Sequence, residues 1–282
     1  MTRLEANHLS IRYEKEAIVD DLTMYIPEGK ITTIIGPNGC GKSTILKTLA
    51  RVMKASKGAV YLDGKSIHTQ PTKQIAQKMA VLPQSPEAPS GLKVRELVAY
   101  GRHPHQKGFA ALRKQDYDMI ALALEQTGLE ALADRPIDTL SGGQRQRVWI
   151  AMALAQQTDL LLLDEPTTYL DLAHQLEVLQ VLQHLNEQQG RTIVLVVHDI
   201  NHASRFADHM VALREGAIVQ EGVPEEVMSA QVLRDVFHIH ADVVSDPRNG
   251  KPVCLSYDLL SHTDSQQASQ NFYSLGGKHG AG

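Results

Sequence analysis

Cysteine, surplus charge and long apolar stretches are all scarce in this chain, and each scarcity removes a class of protein. Cys40 and Cys254 are the only two cysteines. They are too few for a disulfide framework, so reduced thiols in a cytosolic compartment are expected. Lys and Arg total 28 against 32 Asp and Glu, a formal charge of −4. That balance gives no electrostatic reason for nucleic acid as the main ligand, and no nucleic-acid partner is expected. The strand-like apolar runs Leu160–Leu163 and Ile193–Val197 are about a quarter of the ~20 residues a membrane span needs. The opening Met1-Thr-Arg-Leu-Glu5 has no apolar h-region, so no signal peptide is expected. Any membrane role must come through a partner.

What is present is a phosphate loop. Gly36-Pro37-Asn38-Gly39-Cys40-Gly41-Lys42-Ser43 fits G-x-x-x-x-G-K-[ST] in full. A strand-like run, Ile31–Ile35, precedes it, and a helix-like run follows with Ile45, Leu46 and Leu49 on one face. Small residues let backbone N–H groups wrap a triphosphate, and the helix that starts there adds its positive dipole end. Lys42 can neutralise the β- and γ-phosphates, the Ser43 hydroxyl can hold Mg²⁺, and Thr44 continues the loop into the helix. Cys40 lies among backbone dipoles that favour a thiolate, or else occupies a position open to many side chains.

Two further motifs fit that loop. Leu160-Leu-Leu-Leu-Asp-Glu165 reads as a buried strand with Asp164 emerging at its carboxyl end, where ligands of open α/β sheets bind. Asp164 would serve Mg²⁺, and Glu165, projecting differently, can polarise an attacking water. In Leu140-Ser141-Gly142-Gly143-Gln144, Ser141 can cap a helix while the glycines leave backbone N–H groups open to an anion.

The remaining pattern predicts an α/β fold: a P-loop NTPase core with a mainly parallel sheet, an antiparallel β subdomain and an inserted helical subdomain. Residues 4–30 read as short strands with turns, and Ala59–Gly64 as a further strand. A helical pattern begins after Pro86 and Pro89, so the helical insert is placed at about 86–155. Leu160–Leu163 and Thr192–Val197 read as strands covered on both faces. Leu172–Gln189 reads as a helix stopped by Gly190. Val211–Leu213 and Ala217–Val219 flank a hairpin turn. Residues 1–260 form the expected domain, binding ATP or GTP, and the polar segment 261–282 is expected to be a disordered tail.

Phosphate loop, Leu-Ser-Gly-Gly-Gln signature, Asp-Glu strand end and a later histidine together resemble the ATP-binding subunit of ABC transporters. The resemblance covers about residues 4–222 in motif order. It implies ATP and Mg²⁺ as cofactors, with Ser43, Gln84 and Asp164 serving the metal. Tyr13 takes the place of the aromatic that stacks on adenine. Gln84, in Leu82-Pro-Gln84, resembles the glutamine that touches Mg²⁺ and the attacking water. Glu165 and His198 take the places of the catalytic base and of the histidine that contacts the γ-phosphate. Asp171, in Thr168-Tyr-Leu-Asp171, would face a partner copy. The family pattern further implies a head-to-tail homodimer in which Ser141, Gly142, Gly143 and Gln144 complete the other copy's site. Integral membrane permease subunits, and indirectly an extracytoplasmic solute-binding protein, would complete the machine at the cytoplasmic face of the plasma membrane.

The segment Val94-Arg-Glu-Leu-Val-Ala-Tyr-Gly-Arg-His-Pro-His105 is similar to ATPases of importers for ferric siderophores, haem and vitamin B12. Uptake of a ferric siderophore or related iron chelate is the expected task. The rival expectation is a soluble ABC-type ATPase of DNA repair or translation. Those usually carry two ATPase halves or long coiled-coil inserts, whereas this chain has one short helical insert.

Overall fold

The computed structural model describes residues 2–13, 16–106 and 111–260; the expected tail at 261–282 lies outside the described residues. In chain order the elements are β1 (Thr2–Tyr13), β2 (Glu16–Pro27), β3 (Ile31–Ile35), α1 (Lys42–Leu49), β4 (Lys57–Leu62), β5 (Lys65–Ser66), α2 (Thr72–Ala76) and β6 (Met79–Leu82). Helices α3 (Val94–Tyr100), α4 (Lys114–Gln126) and α5 (Gly142–Ala155) follow within the expected insert. Then come β7 (Leu160–Asp164), α6 (Leu172–Gln189), β8 (Thr192–Val196), α7 (Ile200–Phe206), β9 (His209–Arg214) and β10 (Ala217–Gly222). The described chain closes with α8 (Pro224–Val227), α9 (Ala230–Phe237), β11 (Ile239–Ser245) and β12 (Pro252–Leu259).

Among the described residues, one sheet has the order β10-β9-β3-β8-β7-β6. Its β9-β3, β3-β8, β8-β7 and β7-β6 pairs are parallel, and only the β10-β9 hairpin is antiparallel. Every residue of β3, β7 and β8 is buried, which is why β7 and β8 read as near-continuous apolar runs; β3 also buries Thr32 and Thr33. Side chains alternate across a strand, so each run feeds two cores. Leu161, Leu163, Ile193 and Leu195 pack under α3–α6, whereas Leu160, Leu162, Val194 and Val196 face α1 and the antiparallel sheet.

That second sheet, β2-β1-β4-β5, differs from the expected short strands. β1 and β2 are long, but their pairing register shifts at several points. Such bulges break the apolar alternation on which a sequence reading depends. α6 runs over the expected residues and ends at Gly190 in the left-handed conformation, φ 64°. No helix among the described residues is long and apolar enough to cross a membrane.

Candidate functional site

The sheet order places four chain segments side by side along one edge. The phosphate loop leaves β3, His198 follows β8, Asp164 and Glu165 end β7, and Gln84 follows β6. All four lie beyond the carboxyl ends of parallel strands, where an open α/β sheet leaves a crevice.

The loop itself is tightly built. Gly36 has φ 152°, and a Cβ there would lie 2.2 Å from the Leu213 carbonyl oxygen, so only glycine fits. Lys42 Nζ donates to the Gly36 and Pro37 carbonyls, each at 2.9 Å. Its charge is thereby held against the loop's own backbone. Cys40 is buried, and its burial pushes the thiol up despite the nearby Lys42 charge. Of the two readings of Cys40, this burial favours the ordinary loop position over the thiolate. Half-exposed Tyr13 lines an open cleft of about 270 Å³ with Asn38, Gly39, Gly41, Lys42, Ser43, Thr44 and Glu165.

Ser43 Oγ donates to Asp164 Oδ1 at 2.7 Å. Asp164 Oδ2 is buried with no hydrogen-bond partner among the described residues. Burial pushes this carboxyl up, the Ser43 hydrogen bond opposing. A hydroxyl beside an orphaned buried carboxylate oxygen is the donor set a hard divalent cation takes, so the residues present fit Mg²⁺.

Glu165 is the hub of the site. Its backbone is left-handed, φ 52°, and its N–H donates to the Val196 carbonyl at 3.1 Å. A non-glycine residue in that region stores about 1–3 kcal/mol of strain, a feature concentrated at functional sites. Two donors bond Glu165 Oε2, the Gln84 amide and Thr168 Oγ1 at 3.2 Å, and His198 Nε2 approaches the same oxygen to 2.7 Å. Thr168 escaped the sequence reading, although its place three residues after Glu165, across a tight turn, was a usable signal.

Ser141–Gln144 lie apart from this cleft, at the start of α5. Ser141 Oγ accepts from Gln144 N at 3.2 Å, and Gln144 Oε1 accepts from Ser141 N at 3.1 Å. This reciprocal cap fixes the turn and leaves Ser141 and Gly142 exposed. Asp171 caps α6 by accepting from His174 N at 3.0 Å. That backbone hydrogen bond, chiefly, holds its carboxyl below the usual carboxylate range. Tyr169 and Leu172 beside it are exposed apolar side chains, 93% and 70%.

The geometry therefore joins a phosphate loop, a metal-competent carboxylate and a strained, triply held glutamate on one edge. The family model described as ABC transporter matches residues 19–168, more than half of the chain. The chain belongs to the ABC transporter family. Among curated relatives of this ABC ATPase, the iron(3+)-hydroxamate import ATP-binding protein FhuC of Bacillus subtilis is 62% identical over 262 residues. The match covers 93% of this chain and 97% of FhuC. Among solved structures, an inward-facing metal-chelate type ABC transporter aligns with TM-score 0.79 and 29% identity, covering 93% of this chain and 98% of that one. The dimeric structure of MJ0796, a bacterial ABC transporter cassette, aligns with TM-score 0.70 and 30% identity, covering 78% of this chain and 98% of that one.

Proposed function

We propose that this ABC ATPase powers uptake of a ferric siderophore of the hydroxamate class through separate permease subunits, as a peripheral subunit at the cytoplasmic face of the membrane. An extracytoplasmic solute-binding protein would deliver the chelate to the permease. The cargo assignment is supported by the near-complete match to FhuC. The chemistry is carried by one observation, the convergence of Gln84, Thr168 and His198 on Glu165 beside the phosphate loop.

In this reading Tyr13 stacks on adenine, and backbone N–H groups of residues 36–44 cradle the phosphates. Lys42 turns from the Gly36 and Pro37 carbonyls to the β- and γ-phosphates. Ser43, Asp164 and Gln84 would hold Mg²⁺, which supplies charge neutralisation across the phosphates. Glu165 takes the proton of the attacking water. Its Oε1 accepts from no donor among the described residues and remains available for that proton. His198 and Gln84 hold the carboxylate now and meet the γ-phosphate and water once nucleotide arrives. Ser141–Gln144 of a second copy close the exposed side of the γ-phosphate, adding a helix N-terminus to the stabilisation of transition-state charge. The dimeric form of MJ0796 supports that assembly.

Glu165→Gln tests the chemistry. The glutamine oxygen can accept from Gln84 and Thr168 as the carboxylate does, so the pocket should persist and ATP binding should be retained. Turnover should fall at least about 100-fold, the usual contribution of a positioned base. A near-normal rate would remove Glu165 from this role. Proteoliposomes carrying the permease should accumulate ferric hydroxamate with ATP; accumulation of haem in its place would overturn the cargo assignment.

A further inference from the structure

We propose that His174 is a positioning residue, clamping the signature turn at Gly143 to Asp171 so that both dimer-facing parts of one copy hold a fixed relation. The proposal rests on the two-copy reading above. Three contacts carry it. First, His174 Nδ1 lies 2.8 Å from Asp171 Oδ1, which also accepts from the His174 backbone N–H at 3.0 Å. An ionised carboxylate only accepts, so Nδ1 carries the imidazole proton.

Second, the inner edge of the imidazole lies on the bare Cα of Gly143. A Cβ built there would sit 2.5 Å from His174 Cδ2, 2.8 Å from Cγ and 3.1 Å from Cβ. Gly143 lies within helix α5 and is not among the residues of positive φ. Backbone conformation therefore does not demand glycine at 143; the close approach of His174 does. Third, one turn further along both helices, Arg147 and Glu177 approach to 3.9 Å and extend the α5–α6 seam. The first turn of α5, with Ser141 at its cap, and the first turn of α6, with Asp171 at its cap, are thus joined through one imidazole. A shift of either against the other must break the Nδ1 bond or unseat the ring. In the closed dimer Ser141 would meet the other copy's nucleotide and Asp171 the other copy's chain, so the clamp sets both contacts at once.

The test uses the full chain carrying Glu165→Gln, with ATP and Mg²⁺, and follows dimer formation against concentration by analytical ultracentrifugation. His174→Ala and His174→Leu should weaken the dimer at least about tenfold, the scale of a hydrogen bond to a charged group. His174→Asn, whose amide can donate from the place of Nδ1, should stay within about threefold of the parent. ATP affinity of the dilute monomer should be equal in all of them. Separately, Gly143→Ala should lower the melting temperature, and adding His174→Ala should restore most of it, because the ring atoms that collide are then gone and only the tight Cβ approach remains. A His174→Leu dimer as tight as the parent's overturns the clamp. So does a Gly143→Ala defect that His174→Ala leaves untouched. A parent that never dimerises is a different failure: it defeats the two-copy reading itself, and the proposal with it.

Discussion

Replacing Arg102 by Met should be the most damaging single change outside the nucleotide cleft. Arg102 follows α3 and is 2% exposed. Its Nε donates to Asp116 Oδ1 at 2.9 Å; one terminal nitrogen donates to the Ala155 carbonyl at 2.6 Å and to Gln157 Oε1 at 3.0 Å. One guanidinium therefore ties the end of α3 to the first turn of α4 and the last residue of α5. Methionine matches the length but leaves Asp116, itself 6% exposed, as a buried charge without its cation. Breaking a buried pair from one side costs about 3–5 kcal/mol. At about 2–4 °C per kcal/mol for a chain of this size, the melting temperature should drop by roughly 6–20 °C. Arg102→Met with Asp116→Leu should recover most of that, since apolar replacement of both partners is often neutral. The Arg113 backbone N–H, chiefly, with Arg102 adding to it, holds the Asp116 carboxyl below the usual range. A depressed carboxyl contributes stability above the ordinary carboxylate range and loses it as pH falls through the folded value. The gap between wild type and Arg102→Met should therefore narrow in acid. Calorimetry at pH 7 and in acid reads all of this. A shift under about 2 °C, or a double variant no better than the single, would refute the reasoning.

Two smaller tests address the cleft and the dimer face. Lys42→Ala should weaken ATP binding at least about tenfold by calorimetry, because a desolvated phosphate-facing charge is lost; unchanged affinity would show that Lys42 serves only the loop carbonyls. Tyr169→Ala should leave the melting temperature almost unchanged, since the side chain is 93% exposed. The same change should weaken the ATP-driven dimer of the Glu165→Gln chain in sedimentation, and an undiminished dimer would take Tyr169 off that face.

Features with a local period or a dense motif were legible before any coordinates. β7 and β8 were readable because burial on both faces leaves four consecutive apolar residues in each. α6 was readable to its last residue because Gly190 supplies the left-handed stop. Phosphate loop, Asp164 and His198 were readable because each follows such a strand. What escaped depends on contacts distant in sequence. Arg102 and Asp116 look like surface charges until α3, α4 and α5 close around them. The β11–β12 hairpin went unseen because both strands are mostly half-buried or exposed and β12 lacks alternation, although β11 alternates. His174 looked like one more polar residue on an amphipathic helix, and nothing local announces that its ring lies on Gly143. The two readings of Cys40 stayed open for the same reason, since loop dipoles were visible in sequence and burial was not.

Asp164 is where stability and chemistry pull in opposite directions. Its carboxyl is 2% exposed, one oxygen bonded to Ser43 and the other to nothing among the described residues. Glu165 is a second negative charge beside it, and it too raises the Asp164 carboxyl. Without metal, the ionised form is therefore a cost to the fold. Asp164→Asn removes the charge, keeps an oxygen for Ser43 and relieves the repulsion. The nucleotide-free protein should gain about 1–2 kcal/mol, the scale of one unsatisfied buried group. The sign with pH follows from the raised folded value: wild type without Mg²⁺ should lose stability as pH climbs from the ordinary carboxylate range through that value. The asparagine variant should lack this slope. Bound Mg²⁺ would reverse the balance, because Asp164 would help to hold it and protons would then compete with the metal in acid. Asp164→Asn should accordingly lose at least about 100-fold in turnover. Mg²⁺ should no longer raise its melting temperature in the presence of ATP. An asparagine variant less stable than wild type, with neither metal nor nucleotide present, would mean that the carboxylate is satisfied in the resting protein and that the cation is not what this site is built to receive.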